Sequence, residues 1–160
     1  MKKSSKGFSL IELLIVVAII LIIAAIAIPN LLRSRIAANQ ASAVGSLRTL
    51  NTAEITYSST YNVGFTSALS YLAPPTGTGN PTSTAAGLID SVLAGGAKSG
   101  YNFAYTPGAS DATGRINTYE ITATPVSNST GTNYYYTDQS GVIRQNSTTT
   151  AASTDSPIAG

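Results

Sequence analysis

An unbroken apolar run from Leu13 to Ile28 is the feature that most constrains what this chain can fold into. With its flank back to Phe8, the run rises about 30 Å as an α-helix, which matches the hydrocarbon core of a bilayer. A helix that is apolar on every side does not sit on the surface of a soluble domain. We therefore expect residues 8–28 to lie in a membrane or among other apolar helices.

Basic residues precede the run and fix its expected orientation. Lys2, Lys3 and Lys6 should stay on the cytoplasmic side, which directs the C-terminal bulk outward. The chain has nine basic and seven acidic residues, so without these lysines six stand against seven, a net of −1. A nucleic-acid-binding domain needs clustered basic residues on a folded face. Nucleic acid is therefore excluded as a partner.

The chain contains neither cysteine nor histidine. Disulfides and thiolate chemistry are excluded, and so are the commonest general base and the commonest metal ligand. Asp111, Asp138 and Asp155 are too dispersed in the sequence to predict a calcium site. We expect no enzymatic activity, no cofactor and no metal.

A lone carboxylate, Glu12, stands at the N-terminal edge of the apolar run. Ser9-x-x-Glu12 fits a capping box, with Ser9 as N-cap and Glu12 at N3. The helix dipole contributes roughly 0.3–1 kcal/mol to such a carboxylate, whereas a charge in mid-bilayer costs about 2.5–3.5 kcal/mol. Capping explains where a glutamate is tolerated but not why one is present.

Three interpretations of this segment are open on the residues alone. It is a secretory signal peptide cut after Ala25-Ile26-Ala27, a permanent membrane anchor, or a helix released by cleavage between Gly7 and Phe8. The third would create an ammonium group on Phe8, four residues before Glu12. That pair could form within one helix or fix the register of two parallel helices, and the uncut chain cannot form it.

Residues 6–29 read KGFSLIELLIVVAIILIIAAIAIP and resemble the N-terminus of type IV pilins and type II secretion pseudopilins. The resemblance implies that a prepilin peptidase cuts between Gly7 and Phe8 and N-methylates Phe8. It implies that Glu12 pairs with the N-terminus of a neighbouring subunit during assembly, and that Pro29 kinks the helix. The implied fold is the α+β pilin fold, a long N-terminal helix packed against a small antiparallel sheet.

The implied function is a structural one, the major-type subunit of a type IV pilus-like filament. Its partners would be copies of itself, the prepilin peptidase and an inner-membrane assembly machinery. The precursor would sit in the inner membrane and the product in an extracellular filament, or in the periplasm if the chain is a type II secretion pseudopilin. The rival function from the residues is a soluble binding domain, secreted by the Sec route and starting near Ile28.

The residue patterns and the resemblance divide the chain into five segments. Residues 1–7 are the leader, 8–28 the membrane and filament-core half of the helix, and 29–61 an amphipathic half that docks on the head. Its apolar stripe, at helical spacing, comprises Leu32, Ile36, Ala43, Leu47, Leu50, Tyr57 and Tyr61. Residues 62–146 form the head and 147–160 a Ser/Thr-rich flexible tail, mobile unless paired.

Within the head, the first part is predicted to be rich in loops, with one short helix in 88–96 that ends at the Gly95-Gly96 pair. Strand patterns follow at 101–106, 117–125 and 133–144. The last of these contains a predicted hairpin turn from Asp138 to Gly141, with Gly141 at positive φ. These segments predict three or four antiparallel strands that pack on the helical stripe.

Overall fold

The computed structural model describes residues 7–158, which form two compact units that divide between Arg35 and Ile36. The lysine cluster before Gly7 lies outside the described residues. One helix, α1 (Leu10–Tyr61), runs through both units. The predicted α+β architecture is confirmed, because the second unit contains an antiparallel sheet besides its part of α1.

The second unit buries the predicted stripe of α1 from Ala43 onward. Leu47 and Leu50 are fully enclosed, and Tyr57 is almost so. Tyr61 and Ile36 are partly covered, whereas Leu32, in the first unit, is exposed. The stripe therefore works as core packing only where the head is present to cover it.

The connection after α1 contains little regular structure, as predicted. A 3₁₀ turn spans Leu69–Leu72, and helix α2 spans Ser91–Ala94. Asp90 caps α2 by accepting a hydrogen bond from the Leu93 amide, and Gly95 ends it. The predicted short helix and its glycine stop are confirmed.

The sheet in the described residues has five antiparallel strands in chain order. They are β1 (Ala97–Lys98), β2 (Tyr101–Pro107), β3 (Tyr119–Pro125), β4 (Tyr134–Asp138) and β5 (Arg144–Asn146). The prediction of three or four strands missed β1, because a two-residue strand has no detectable alternation. It also placed the strand after the turn within 142–144, whereas β5 begins only at Arg144 and ends at Asn146.

Alternation along β3 divides the sheet into two faces, as predicted. Tyr119, Ile121 and Ala123 are buried, whereas Glu120 between them is exposed. The predicted turn is also present, since the Gly141 amide donates to Asp138 O at 2.9 Å and Gly141 has φ +74°.

The C-terminal segment is paired over its last part. Ile158 N donates a hydrogen bond to Ile143 O (2.9 Å), just before β5. Within β5, Gln145 N donates to Ser156 O (3.0 Å) and Asn146 Nδ2 donates to Asp155 Oδ1 (3.0 Å). Ala151 is buried. Residues 155–158 therefore pair with part of the backbone edge that β5 would otherwise expose, and the predicted tail boundary at residue 147 stays a prediction.

Candidate processing and assembly site

Gly7 and Phe8 lie before the first turn of α1 and are both exposed. The Phe8 side chain is 84% exposed, and a Cβ built on Gly7 would meet no atom within 4 Å. Among residues 7–158, the fold therefore gives no steric reason for glycine at position 7.

The capping box predicted from Ser9 and Glu12 is confirmed. The Ser9 amide donates to Glu12 Oε2 at 2.9 Å, and the Ile11 amide donates to Ser9 Oγ at 3.3 Å. Two amide groups that have no partner inside the helix are thus satisfied by side chains. The cap fixes the start of α1 at Leu10 and leaves the Gly7–Phe8 bond outside the helix.

The predicted pair between Phe8 and Glu12 stays a prediction. In the uncut chain the Phe8 nitrogen is an amide, which carries no charge. The Glu12 carboxylate is instead held at the next residue, Ser9, one position from where cleavage would create the ammonium group. The structure thus places Glu12 at the end of the helix where the new N-terminus would appear.

The first half of α1 presents large apolar side chains on every side. They are exposed from Leu10 to Leu32: Leu10, Ile11, Leu13, Leu14, Ile15, Val16, Val17, Ile19, Ile20, Leu21, Ile22, Ile23, Ile26, Ile28, Leu31 and Leu32. By length and composition, α1 contains a segment able to cross a membrane. Exposing this surface to water would be unfavourable, because removing one Leu or Ile side chain from water is favourable by about 1.5–3 kcal/mol.

Pro29 lies inside α1, and the helix is assigned without interruption through it. Proline removes one backbone hydrogen bond and crowds the carbonyl four residues earlier. The kink predicted at Pro29 stays a prediction.

The three aspartates considered above as calcium ligands each accept hydrogen bonds from different neighbouring groups. Asp111 accepts from Thr113 and Asn117, Asp138 from the Ser140 amide, and Asp155 from Asn146. Within residues 7–158 no three acidic side chains come together in a group that could hold a metal ion.

The buried polar residues of α1 were not predicted from the sequence, and Asn51 and Glu54 are the two that bond to other elements of the head. Asn51 accepts from the Tyr119 hydroxyl at 3.0 Å and donates to Thr137 Oγ1 at 2.8 Å. Glu54 continues the apolar stripe at helical spacing, four residues after Leu50 and three before Tyr57. That position was the available signal, because a charged residue inside an apolar stripe is unusual.

The fold thus defines a class: a protein with one long helix, apolar and exposed in its first half, whose second half carries a small antiparallel sheet domain. Residues 2–28 match the family model described as the prokaryotic N-terminal methylation motif. The prepilin-type segment predicted from the residues is therefore confirmed, and the chain carries this motif.

Two relatives are type IV pilins by their names. The chain is 65% identical over 37 residues to the type IV wide pilus major component PilA4 of Thermus thermophilus, covering 23% of this chain and 28% of the relative. It is 52% identical over 50 residues to the type IV major pilin protein PilA of Myxococcus xanthus, covering 31% of this chain and 23% of the relative. The matches span about a quarter of each relative. No solved structure matches the chain.

Proposed function

We propose that this chain is the major-type structural subunit of a type IV pilus-like filament. It is made as a membrane precursor, is cut between Gly7 and Phe8, and polymerises through the first half of α1. The observation that carries the proposal is the capped helix start: a carboxylate held at the end of a fully exposed apolar helix, inside a methylation motif.

The exposed apolar surface alone does not drive assembly in this proposal. Lipid tails and a filament core are both apolar, so moving the helix from one to the other changes its hydrophobic free energy little. The carboxylate of Glu12 is different, because it has no positive partner in lipid. After cleavage, the Phe8 ammonium of a neighbouring copy supplies that partner and fixes how far one helix slides past the next.

The partners of the chain follow from these steps. They are further copies of this chain, a prepilin peptidase that recognises Gly7 and Phe8, and an inner-membrane assembly machinery. Residues 1–7 are removed as the leader, and Phe8 is N-methylated. The precursor resides in the inner membrane and the filament outside the cell, and the subunit itself performs no catalysis.

The first test is the intact mass and N-terminal sequence of protein sheared from the cell surface. The proposal expects a chain that begins at a methylated Phe8. A chain beginning near Ile28, soluble without detergent, would instead establish the Sec-secreted binding domain and refute the filament. Correctly processed protein that stays in the periplasm as a secretion-linked assembly would assign the chain to the pseudopilins.

Glu12→Ala tests the assembly step, with Glu120→Ala as its matched control. Glu120 is an exposed glutamate on β3, outside the methylation motif. We expect Glu12→Ala to be exported but to give no shearable filaments, or misregistered ones, and Glu120→Ala to give filaments of normal yield. Normal filaments from Glu12→Ala would remove the role given to Glu12.

Gly7→Pro tests the cleavage site. Because a Cβ at position 7 would meet nothing within 4 Å among the described residues, we expect the substitution to act on recognition by the peptidase and not on the fold of the head. We expect uncut precursor to accumulate in the membrane fraction with a normally folded head. Protein of mature length from this variant would place the cleavage site elsewhere.

A further inference from the structure

A carboxylate lies fully buried in the head. Glu54, on the second half of α1, has 0% of its surface exposed. Acidic side chains are almost never fully buried without a paired cation. Neither filament assembly nor processing explains why the Glu54 carboxylate is buried.

Hydrogen bonds from one residue of the loop after α1 hold Glu54 in place. The Thr66 amide donates to Glu54 Oε2 at 2.9 Å, and the Thr66 hydroxyl contacts Oε1 at 2.6 Å. Thr66 is itself fully buried, and its carbonyl accepts from the Tyr105 hydroxyl at 2.8 Å. Glu54 thus joins α1 through Thr66 to strand β2.

No cation balances this carboxylate within residues 7–158, where the ion pair found is the exposed Lys98–Asp90. The titratable groups that face Glu54 are phenols: Tyr57 from α1, Tyr105 from β2 and Tyr119 from β3. Burial first, and then the nearby Glu54, raise the pKa of each phenol, so all three stay neutral at physiological pH.

Burial also raises the pKa of Glu54 above its ordinary value, although the Thr66 hydroxyl and amide lower it in part. The short contact between Glu54 Oε1 and Thr66 Oγ1 is compatible with both protonation states. The threonine hydroxyl donates to the carboxylate, and the protonated carboxyl donates to the hydroxyl oxygen. Only the protonated form avoids a buried charge without a cation.

We propose that Glu54 is a proton-operated latch: it ties the loop at Thr66 to α1, and the head is most stable when this buried carboxyl carries a proton. The head is therefore more stable in mild acid than at neutral pH with respect to this group. The proposal concerns the folded head alone and does not depend on whether the chain forms filaments.

The direction of the pH dependence follows from linkage. Between the unfolded and the folded pKa of Glu54, the folded head keeps a proton that the unfolded chain has released. The stabilising contribution is complete below the unfolded pKa, about 4.3, and is lost as pH rises through the folded pKa. Within that window the unfolding equilibrium constant rises up to about tenfold for each pH unit.

The chain contains three glutamates, Glu12, Glu54 and Glu120, so their carboxyl groups can be followed individually. The full-length protein in detergent micelles would be labelled with ¹³C at the glutamate carboxyl and titrated by NMR. Glu12→Gln and Glu120→Gln assign their own resonances by loss of one signal each, and the remaining signal belongs to Glu54. We expect Glu54 to titrate above the ordinary glutamate pKa of about 4.3, and a midpoint at or below that value would overturn the proposal.

The pH profile of unfolding tests the consequence for stability. Wild type and Glu54→Gln are unfolded in denaturant from pH 4 to pH 8, with Glu120→Gln as the control for removing an exposed carboxylate. The amide introduced by Glu54→Gln keeps an acceptor for the Thr66 amide and cannot titrate. The unfolding constant of that variant should therefore lack the rise with pH that wild type and Glu120→Gln share. An equal rise in all three would refute the latch. If Glu54→Gln does not fold, the wild-type NMR titration alone decides.

Discussion

The two halves of α1 each carry one glutamate, and the two glutamates are satisfied in different ways. Glu12 stands at the exposed start of the first half and accepts from the amide of Ser9, three residues away. Glu54 is enclosed in the second half and accepts from Thr66, twelve residues away, across a loop. The first contact is local to the helix, and the second exists only because the head folds back on α1.

The same contrast holds for the apolar side chains of the two halves. Ile20, in the first half, is 58% exposed, whereas Leu50, in the second half, is fully buried. The head supplies the cover for Leu50 within the chain. In the proposed function, lipid and then neighbouring copies supply it for Ile20. One continuous helix thus has two different environments, and the residue types in each half suit the environment of that half.

Leu50→Ala should have the largest effect and tests whether the second half is a true core. Truncation of a fully buried leucine costs about 2–5 kcal/mol of unfolding free energy. The matched change in the first half is Ile20→Ala, which should leave head unfolding unchanged. Denaturant unfolding of the full-length protein in detergent measures both, and similar losses from the two variants would break the comparison.

Gly64→Ala tests the loop that brings Thr66 to Glu54. Gly64 has φ +86°, and an added Cβ would fall against the backbone of Ile116. Gly114→Ala is the control, because it has a similar φ of +82° but open space around the added Cβ. We expect the control to lose about 1–2 kcal/mol from the left-handed backbone, and Gly64→Ala to lose clearly more. Denaturant unfolding measures both, and equal losses would show that the approach to Ile116 is not tight.

Ser9→Ala should weaken the first half alone. Loss of an N-cap hydroxyl costs about 1 kcal/mol of local helix stability. Amide hydrogen exchange in detergent would show it as roughly fivefold faster exchange at Ile11, with head amides unchanged. Ser9→Thr keeps a capping hydroxyl and should exchange close to wild type. Faster exchange throughout the head would mean that the two halves do not behave separately.

Gly45→Ala should give the smallest effect, and a stabilising one. Gly45 is exposed on the second half of α1, and an added Cβ would meet nothing within 4 Å. Alanine in a helix interior is favoured over glycine by about 0.5–1 kcal/mol. The unfolding midpoint of the head should rise slightly. A loss of stability would show that the space beside Gly45 is too small for a methyl group.

Much of the molecule could be predicted from the sequence because its signals are local. The capping box depends on residues three apart, and the stripe of α1 depends on steps of three or four. The turn at Gly141 depends on four consecutive residues. The prediction failed at β1, which is too short to show a pattern. The pairing of residues 155–158 with β5 could not be predicted either, because the partner strand is known only after folding.

The sequence by itself determined the processing motif, the apolar half of α1 and the strands with clear alternation, because each is written in neighbouring residues. Only the tertiary structure decided that Asn51 and Glu54 are buried polar residues rather than solvent-facing ones. Their hydrogen-bond partners, Tyr119, Thr137 and Thr66, come from other elements. A polar group can be buried at low cost only when it has hydrogen-bond partners. Here the partners are distant in the sequence, so no local pattern predicts them.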